Sequence, residues 1–286
     1  MTPAPVTLRA NCKVNLFLRI TGVLPSGYHT LDSLFLPLPE PCDLLHITPG
    51  GKPGLALTCS DPSLDPCDNT VTRAYRLYTE LNAFSPPMSL RLEKGIPSGA
   101  GLGGGSSDAA ALLRYLNDMA PQALDAKALN AAAARVGADV PFFLRACPCR
   151  AQGIGDILEP CPSGLTGLWL VLVCPEVKIS TCWAYGAWDA LRLPSSSHDL
   201  TRQNSEAKKL SSRLHCLNDF EEAVFPAYPE LARIKCDLFR QGAAAAVMSG
   251  SGASLTGLFR DQHAAKDTAV FFQAQGMRAY CHMVSC

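Results

Sequence analysis

The chain is predicted to fold as an α+β protein in two domains, and three observations carry that prediction. Stretches with strand character, such as the alternating residues 89–94 and the apolar run 168–174, are mixed with stretches of helical spacing, such as Ala109, Leu112, Leu113 and Leu116. The two kinds follow one another without the regular rhythm of a doubly wound sheet. The 286 residues are enough for two domains, each burying its own core. A turn-rich segment, residues 153–164, suits a boundary, so the domains are expected at 1–153 and 154–286.

Taken in order, residues 13–20 read as a strand. Val14, Leu16, Leu18 and Ile20 form one apolar face, which leaves Lys13, Asn15, Phe17 and Arg19 on the other. A lysine and an asparagine therefore share one surface. Residues 43–48 and 55–58 read as strands, and residues 69–81 as a helix with Val71, Tyr75 and Tyr78 near one face. Asp68 and Asn69 precede that helix as ordinary caps would. An alanine-rich helix ends at Gly137, and Asp139 stands just before a proline-containing helical start, again a capping position. In the second half, the strand 168–174 is followed by a polar, serine-rich segment, 194–212, expected to be an exposed loop or short helix. Helices are expected at 219–224 and 229–241. Small residues 243–247 and apolar residues 255–259 flank a glycine turn, Met248-Ser249-Gly250-Ser251-Gly252-Ala253-Ser254, and a last helix covers 264–275.

The most informative segment lies between the strand at 89–94 and the helix that follows. It reads Ile96-Pro97-Ser98-Gly99-Ala100-Gly101-Leu102-Gly103-Gly104-Gly105-Ser106-Ser107-Asp108. Glycines at a helix N-terminus let backbone N–H groups approach an anion closely, and the helix dipole favours negative charge there. The segment is thus a candidate phosphate cradle, with Ser107 also a candidate helix cap. It lacks the lysine of the Walker loop and does not match the dinucleotide fingerprint.

Composition narrows the function classes. Twenty-five basic residues balance 25 acidic ones, so no global field favours nucleic acid. The longest apolar run, 168–174, is far short of the ~20 residues that span a bilayer. The first ten residues lack an apolar core of signal-peptide length. The 13 cysteines contain no Cys-x-x-Cys pair, which fits buried thiols in a reducing compartment better than a zinc site. Cys12, beside Lys13, is a candidate for modification.

Four blocks resemble one superfamily, the galactokinase, homoserine kinase, mevalonate kinase and phosphomevalonate kinase (GHMP) group. The glycine segment resembles its Pro-x-x-x-Gly-Leu-Gly-Ser-Ser signature in the Gly-Gly-Gly-Ser-Ser form of one branch. Lys13-Val14-Asn15-Leu16-Phe17-Leu18, with Gly27-Tyr28-His29-Thr30-Leu31, resembles that branch's opening motif, although Ser26 stands where the branch has Asp. Gly137-Ala138-Asp139-Val140-Pro141-Phe142-Phe143 and Ser249-Gly250-Ser251-Gly252-Ala253 are similar to two further motifs. The resemblance implies a ribosomal-protein-S5-domain-2-like first domain and a ferredoxin-like second. It implies a cytoplasmic, ATP-dependent kinase that phosphorylates the 2-hydroxyl of a cytidine-diphosphate-bearing alcohol of the non-mevalonate isoprenoid pathway.

The site residues implied by the resemblance are these. Asp139 is the general base and Lys13 supports the developing charge. Asn69, Pro97, Ser98, Gly99, Ala100, Gly101, Leu102, Gly103, Gly104, Gly105, Ser106 and Ser107 hold ATP, with magnesium carried by the nucleotide. Asn15, Tyr28, His29, Thr181, Tyr185, Gly250 and Ser251 face the acceptor, where two aromatic faces can clamp a pyrimidine. No protein-held metal is expected, nor any nucleic-acid or membrane partner, and the chain is expected as a monomer or weak homodimer. Three alternatives stay open: the aromatic residues as core, a different GHMP alcohol as acceptor, and a catalytically silent nucleotide-binding module.

Overall fold

The computed structural model describes residues 4–145, 147–192 and 216–285. The expected serine-rich segment at 194–212 lies outside the described residues apart from its flanks. The chain divides into two compact units that are not simple halves. One comprises Met1–Cys12, Pro37–Pro97 and Gly103–Ala146, and the other Lys13–Leu36, Ser98–Leu102 and Cys147–Cys286.

Two long strands, β1 (Val6–Val23) and β2 (His29–Pro49), contribute one part to each unit. In the first unit they are joined by β3 (Leu55–Cys59), α1 (Thr70–Asn82), β4 (Met88–Glu93), α2 (Gly104–Met119), α3 (Ala126–Val136) and α4 (Val140–Arg145). β4 pairs antiparallel with β2, Leu44 opposite Glu93 through Pro49 opposite Met88, and parallel with β3. Its alternation is that of a half-buried strand: Met88, Leu90 and Leu92 are buried while Ser89, Arg91 and Glu93 are exposed. α1 packs on α2, and α2 on α4. Val71, Tyr75 and Tyr78 of α1 are buried as expected. β2 is much longer than the expected 43–48, because its prolines at 37, 39, 41 and 49 read as breaks in the sequence yet are accommodated within the strand.

The second unit adds β5 (Cys149–Gln152), β6 (Ile157–Pro160), β7 (Trp169–Cys174), α5 (Thr181–Ala190), β8 (Leu217–Asn218), α6 (Glu221–Ala227), α7 (Pro229–Arg240), β9 (Ala245–Met248), β10 (Leu255–Phe259), α8 (Gln262–Gln273) and β11 (Arg278–Met283). An antiparallel sheet in the order β11-β7-β10-β9 carries α7 and α8. Val171, Val173, Leu238, Leu255, Phe259 and Phe272 share its core with Leu18 and Ile20 of β1. The turn at 153–156 is the tip of the β5–β6 hairpin. α6 starts later than the expected residue 219, because the Asp219 carboxylate is used to accept the Ile20 N–H, at 2.8 Å, instead of continuing a helix.

Candidate active site

In the first unit the glycine segment becomes the start of α2. Gly103 is the N-cap, with φ of 72°, and no side chain caps the helix. This corrects the reading of Ser107 as a cap: Ser107 is buried inside the helix and its N–H makes a ladder bond to Gly103 O at 2.9 Å. The first turn has no acidic residue. A long helix with an uncapped, acid-free N-terminus keeps its leading N–H groups and its dipole for an anion, which fits a nucleotide phosphate. Thr70 Oγ1 donates to Gly105 O at 2.7 Å, and a Cβ on Gly105 would lie 3.0 Å from that hydroxyl. A side chain at position 105 would therefore crowd the Thr70 hydroxyl where α1 approaches α2.

Asn69 is the N-cap of α1. Its Oδ1 accepts from Thr72 N at 3.0 Å and its Nδ2 donates to Asp65 O at 2.7 Å. Asp139 lies in the turn between Gly137, which ends α3, and Val140, which begins α4. Gly137 itself sits beside the first turn of α2: a Cβ there would be 3.9 Å from Ser106 Oγ. The fold therefore carries the Asp139 turn to the expected phosphate end of α2.

A buried ion cluster under this segment was not read from the sequence. Asp43 of β2 is fully buried, Asp108 of α2 nearly so, and Lys94 lies between them. Lys94 Nζ pairs with Asp43 Oδ2 and, at 2.8 Å, with Asp108 Oδ2. The other Asp43 oxygen accepts from Gly95 N and Ile96 N, at 2.7 and 2.8 Å. Both ends of the glycine segment are tied to β2 in this way. Asp108 Oδ1 has no partner among the described residues. Burial, with the Asp43 carboxylate alongside, pushes the Asp108 carboxyl up to about 7 despite Lys94. Burial works against the Lys94 charge, but the two carboxylates outweigh it and raise the lysine.

The second unit collects the other half of the candidate residues. Lys13 and Asn15 are both buried on β1, and Lys13 Nζ donates to Asn15 Oδ1 at 2.6 Å, as their shared strand face predicts. Lys13 Nζ also lies 4.6 Å from the centre of the Phe35 ring. Asn15 Nδ2 donates to Ser33 Oγ at 2.8 Å, and Ser33 donates onward to Phe17 O at 2.5 Å. A lysine so restrained is pre-aimed, having little rotamer freedom left to lose.

The turn between β9 and β10 meets this strand. Asn15 N donates to Ser249 Oγ at 3.1 Å, and Ser249 Oγ donates to Gly101 O at 3.0 Å. Gly101 has φ of 73°, and a Cβ there would stand 2.1 Å from Ser249 O, so only glycine fits. Lys13 N donates to Leu102 O at 3.0 Å, and Ser254 N to Ala100 O at 3.2 Å. A Cβ on Gly250 would be 3.3 Å from both Asn15 Oδ1 and Gly101 O. Thr181 Oγ1, at the start of α5, lies 3.0 Å from Ser251 Oγ. Asn218 of β8, which sequence reading passed over, donates to Met248 O and Gly250 O, both at 2.7 Å, and fixes the turn from behind. A short polar strand gives no periodic signal by which it could have been found.

Among the aromatic candidates, Tyr28 is 65 % exposed, which removes the core reading for it. His29 stacks on Tyr185 of α5, with centroids 4.4 Å apart and an interplanar angle of 26°. Cys12 is fully buried, so the expectation that it is open to modification is corrected: no reagent reaches a sealed thiol. No group of three or more His, Cys, Asp or Glu side chains suited to a metal occurs among the described residues, and no described helix is long and apolar enough to cross a membrane.

Residues 69–146 match the GHMP kinases N terminal domain and residues 197–276 the GHMP kinases C terminal domain. The chain belongs to the GHMP kinases, a family of small-molecule alcohol kinases with an α+β fold in two domains. Within that family it is similar over nearly its whole length to 4-diphosphocytidyl-2-C-methyl-D-erythritol kinases. That of Nitratidesulfovibrio vulgaris, strain Hildenborough, is 49% identical over 286 residues, covering 98% of this chain and 99% of the relative. That of Bacteroides fragilis, strain YCH46, is 41% identical over 276 residues, covering 95% and 96%. A crystal structure of 4-(cytidine 5'-diphospho)-2C-methyl-D-erythritol kinase superposes with a TM-score of 0.77 at 32% identity, over 96% of this chain and 98% of that one. Homoserine kinase from Cytophaga hutchinsonii shares the fold, with a TM-score of 0.73 at 19% identity, over 99% and 95%.

Proposed function

We propose that this chain transfers the γ-phosphoryl group of ATP to the 2-hydroxyl of 4-diphosphocytidyl-2-C-methyl-D-erythritol, in the cytoplasm, as a step of non-mevalonate isoprenoid synthesis. The observation that carries the reading is the near-full-length similarity to kinases of that name, 49% over 98% of the chain. The division into domains at 1–153 and 154–286 belongs to the same proposal, and each matched family domain falls inside one of the two.

In this reading the N-terminus of α2, with residues 97–107 and Asn69, receives the ATP phosphates and nucleoside, and magnesium arriving with the nucleotide offsets their charge. Asp139, in the turn that begins beside Ser106, takes the proton of the acceptor hydroxyl in this reading. Lys13, aimed by Asn15, supports the charge on the attacking oxygen and on the transferring group. Phosphoryl transfer needs mainly positioning and electrostatic support, and the restrained Lys13–Asn15 pair supplies both. Gly250, Ser251 and Thr181 line the acceptor side, with Tyr28, His29 and Tyr185 at its cytidine end. The acceptor is a small molecule, and the chain acts as a monomer or weak homodimer without nucleic acid or membrane.

The test is direct. Incubation with ATP, magnesium and 4-diphosphocytidyl-2-C-methyl-D-erythritol should produce a new phosphomonoester resonance in the 31P spectrum, coupled to the 2-carbon. Hydrolysis of ATP without that resonance would refute the reading.

A further inference from the structure

β8 and the residues after it place three polar side chains on the backbone of other segments. β8 runs parallel to β1, with Phe17 opposite Leu217 and Leu18 opposite Asn218, and Asp219 is tied to β1 through Leu18 O and Ile20 N. Glu221 Oε1 accepts from Met248 N at 2.8 Å, while its other oxygen pairs with Lys235. Asn218 is 3 % exposed. Its Nδ2 gives one hydrogen to Met248 O and the other to Gly250 O, and its Oδ1 accepts from Phe220 N at 3.0 Å. Both donors of the amide are therefore used on the turn between β9 and β10, and its oxygen is fixed from the opposite side.

The Gly250–Ser251 peptide is trans, so its C=O and N–H point in opposite directions. Holding Gly250 O against Asn218 thus directs the Ser251 N–H away from Asn218. That N–H, like the one of Gly250, makes no hydrogen bond among the described residues, although both residues are buried. Buried N–H groups are rarely left unpaired, and one that the chain does not satisfy is satisfied by water or a ligand. The turn also borders the lysine pair on β1. A Cβ on Gly250 would stand 3.3 Å from Asn15 Oδ1, the atom that accepts from Lys13.

We propose that Asn218 is a positioning residue for phosphoryl transfer: its amide sets the plane of the Gly250–Ser251 peptide, so that the Ser251 N–H is presented to an oxygen of the bound acceptor. The proposal rests on the reading of the acceptor given above, and names the residue that aims one donor toward it. Asn218 touches no reacting atom. Its effect passes through the orientation of one peptide.

The experiment measures kcat/KM for 4-diphosphocytidyl-2-C-methyl-D-erythritol and calorimetric ATP affinity in the unaltered chain, in Asn218→Ala and in Ala223→Gly, each well below its unfolding temperature. Ala223→Gly weakens the neighbouring α6 and leaves the Asn218 hydrogen bonds in place, so it controls for lost stability. Asn218→Ala should lower kcat/KM for the acceptor by about 10- to 100-fold, the range for a misplaced positioning group, with ATP affinity unchanged. Ala223→Gly should keep the unaltered values. A second measurement needs no variant to fold: in 1H–15N spectra of the unaltered chain, the Ser251 amide proton should move downfield when the acceptor is added with a non-hydrolysable ATP analogue. An unmoved Ser251 amide, or an Asn218→Ala chain that transfers as fast as Ala223→Gly, would overturn the proposal while leaving the kinase reading intact. Failure of the unaltered chain to phosphorylate the cytidine compound would instead refute that reading, and this proposal with it.

Discussion

Asp108→Asn tests the buried cluster under the glycine segment. Its carboxyl stands at about 7 in the folded chain, against ~3.9 in the unfolded one, with burial the main cause. Between these two values the folded state holds a proton that the unfolded state has released, so stability falls as pH rises through the window and levels off above about 7. One proton difference costs about 1.4 kcal/mol per pH unit, so this group removes about 3 kcal/mol between pH 5 and pH 8. Asparagine keeps an oxygen for Lys94 and has no proton to release. Urea unfolding at pH 5, 6, 7 and 8 should therefore give a flatter dependence for Asp108→Asn, with the difference in free energy between the two proteins changing by about 3 kcal/mol in favour of the variant as pH rises. Parallel curves would refute the reasoning, because they would mean that Asp108 is already ionised in the folded chain at pH 5.

Three further substitutions probe the site. Asp139→Asn should abolish phosphoryl transfer while calorimetric ATP binding persists, and an active variant would remove Asp139 from the base role. Gly101→Ala places a Cβ 2.1 Å from Ser249 O at a positive φ, so thermal unfolding should shift down by several degrees and activity should be lost; an unshifted, active variant would contradict the close approach. Ser249→Ala leaves Gly101 O and Asn15 N without the hydroxyl that joins them. A loss of about 1–3 kcal/mol in stability and a lower kcat are expected from denaturant and kinetic measurements, and no change in either would show the junction to be dispensable.

The parts of the site that were legible in the sequence share one property: their geometry is local. Lys13 and Asn15 are two apart on a strand, so alternation alone puts them on one face, and their hydrogen bond follows. The glycine segment announces a helix start, and Asn69 a cap, by residue type and position. What stayed hidden depends on long-range pairing. Lys94 reaches Asp43 across 51 positions and Asp108 across 14, and a lysine ending an alternating polar strand reads as solvated rather than as the centre of a buried cluster. Asp219 reads as a helix-starting residue until its carboxylate is seen accepting from Ile20 N, 199 positions away. The length of β2 was obscured because proline reads as punctuation in a sequence, yet four prolines are accommodated in a strand that pairs with β4 and β5.

The account turns on an acceptor that carries a cytidyl group. The most direct measurement is a phosphate-transfer comparison of 4-diphosphocytidyl-2-C-methyl-D-erythritol with 2-C-methyl-D-erythritol 4-phosphate, mevalonate, galactose and homoserine, all at equal concentration. The account predicts rapid transfer to the first and little to the others. Equal rates with and without the cytidyl group would contradict it.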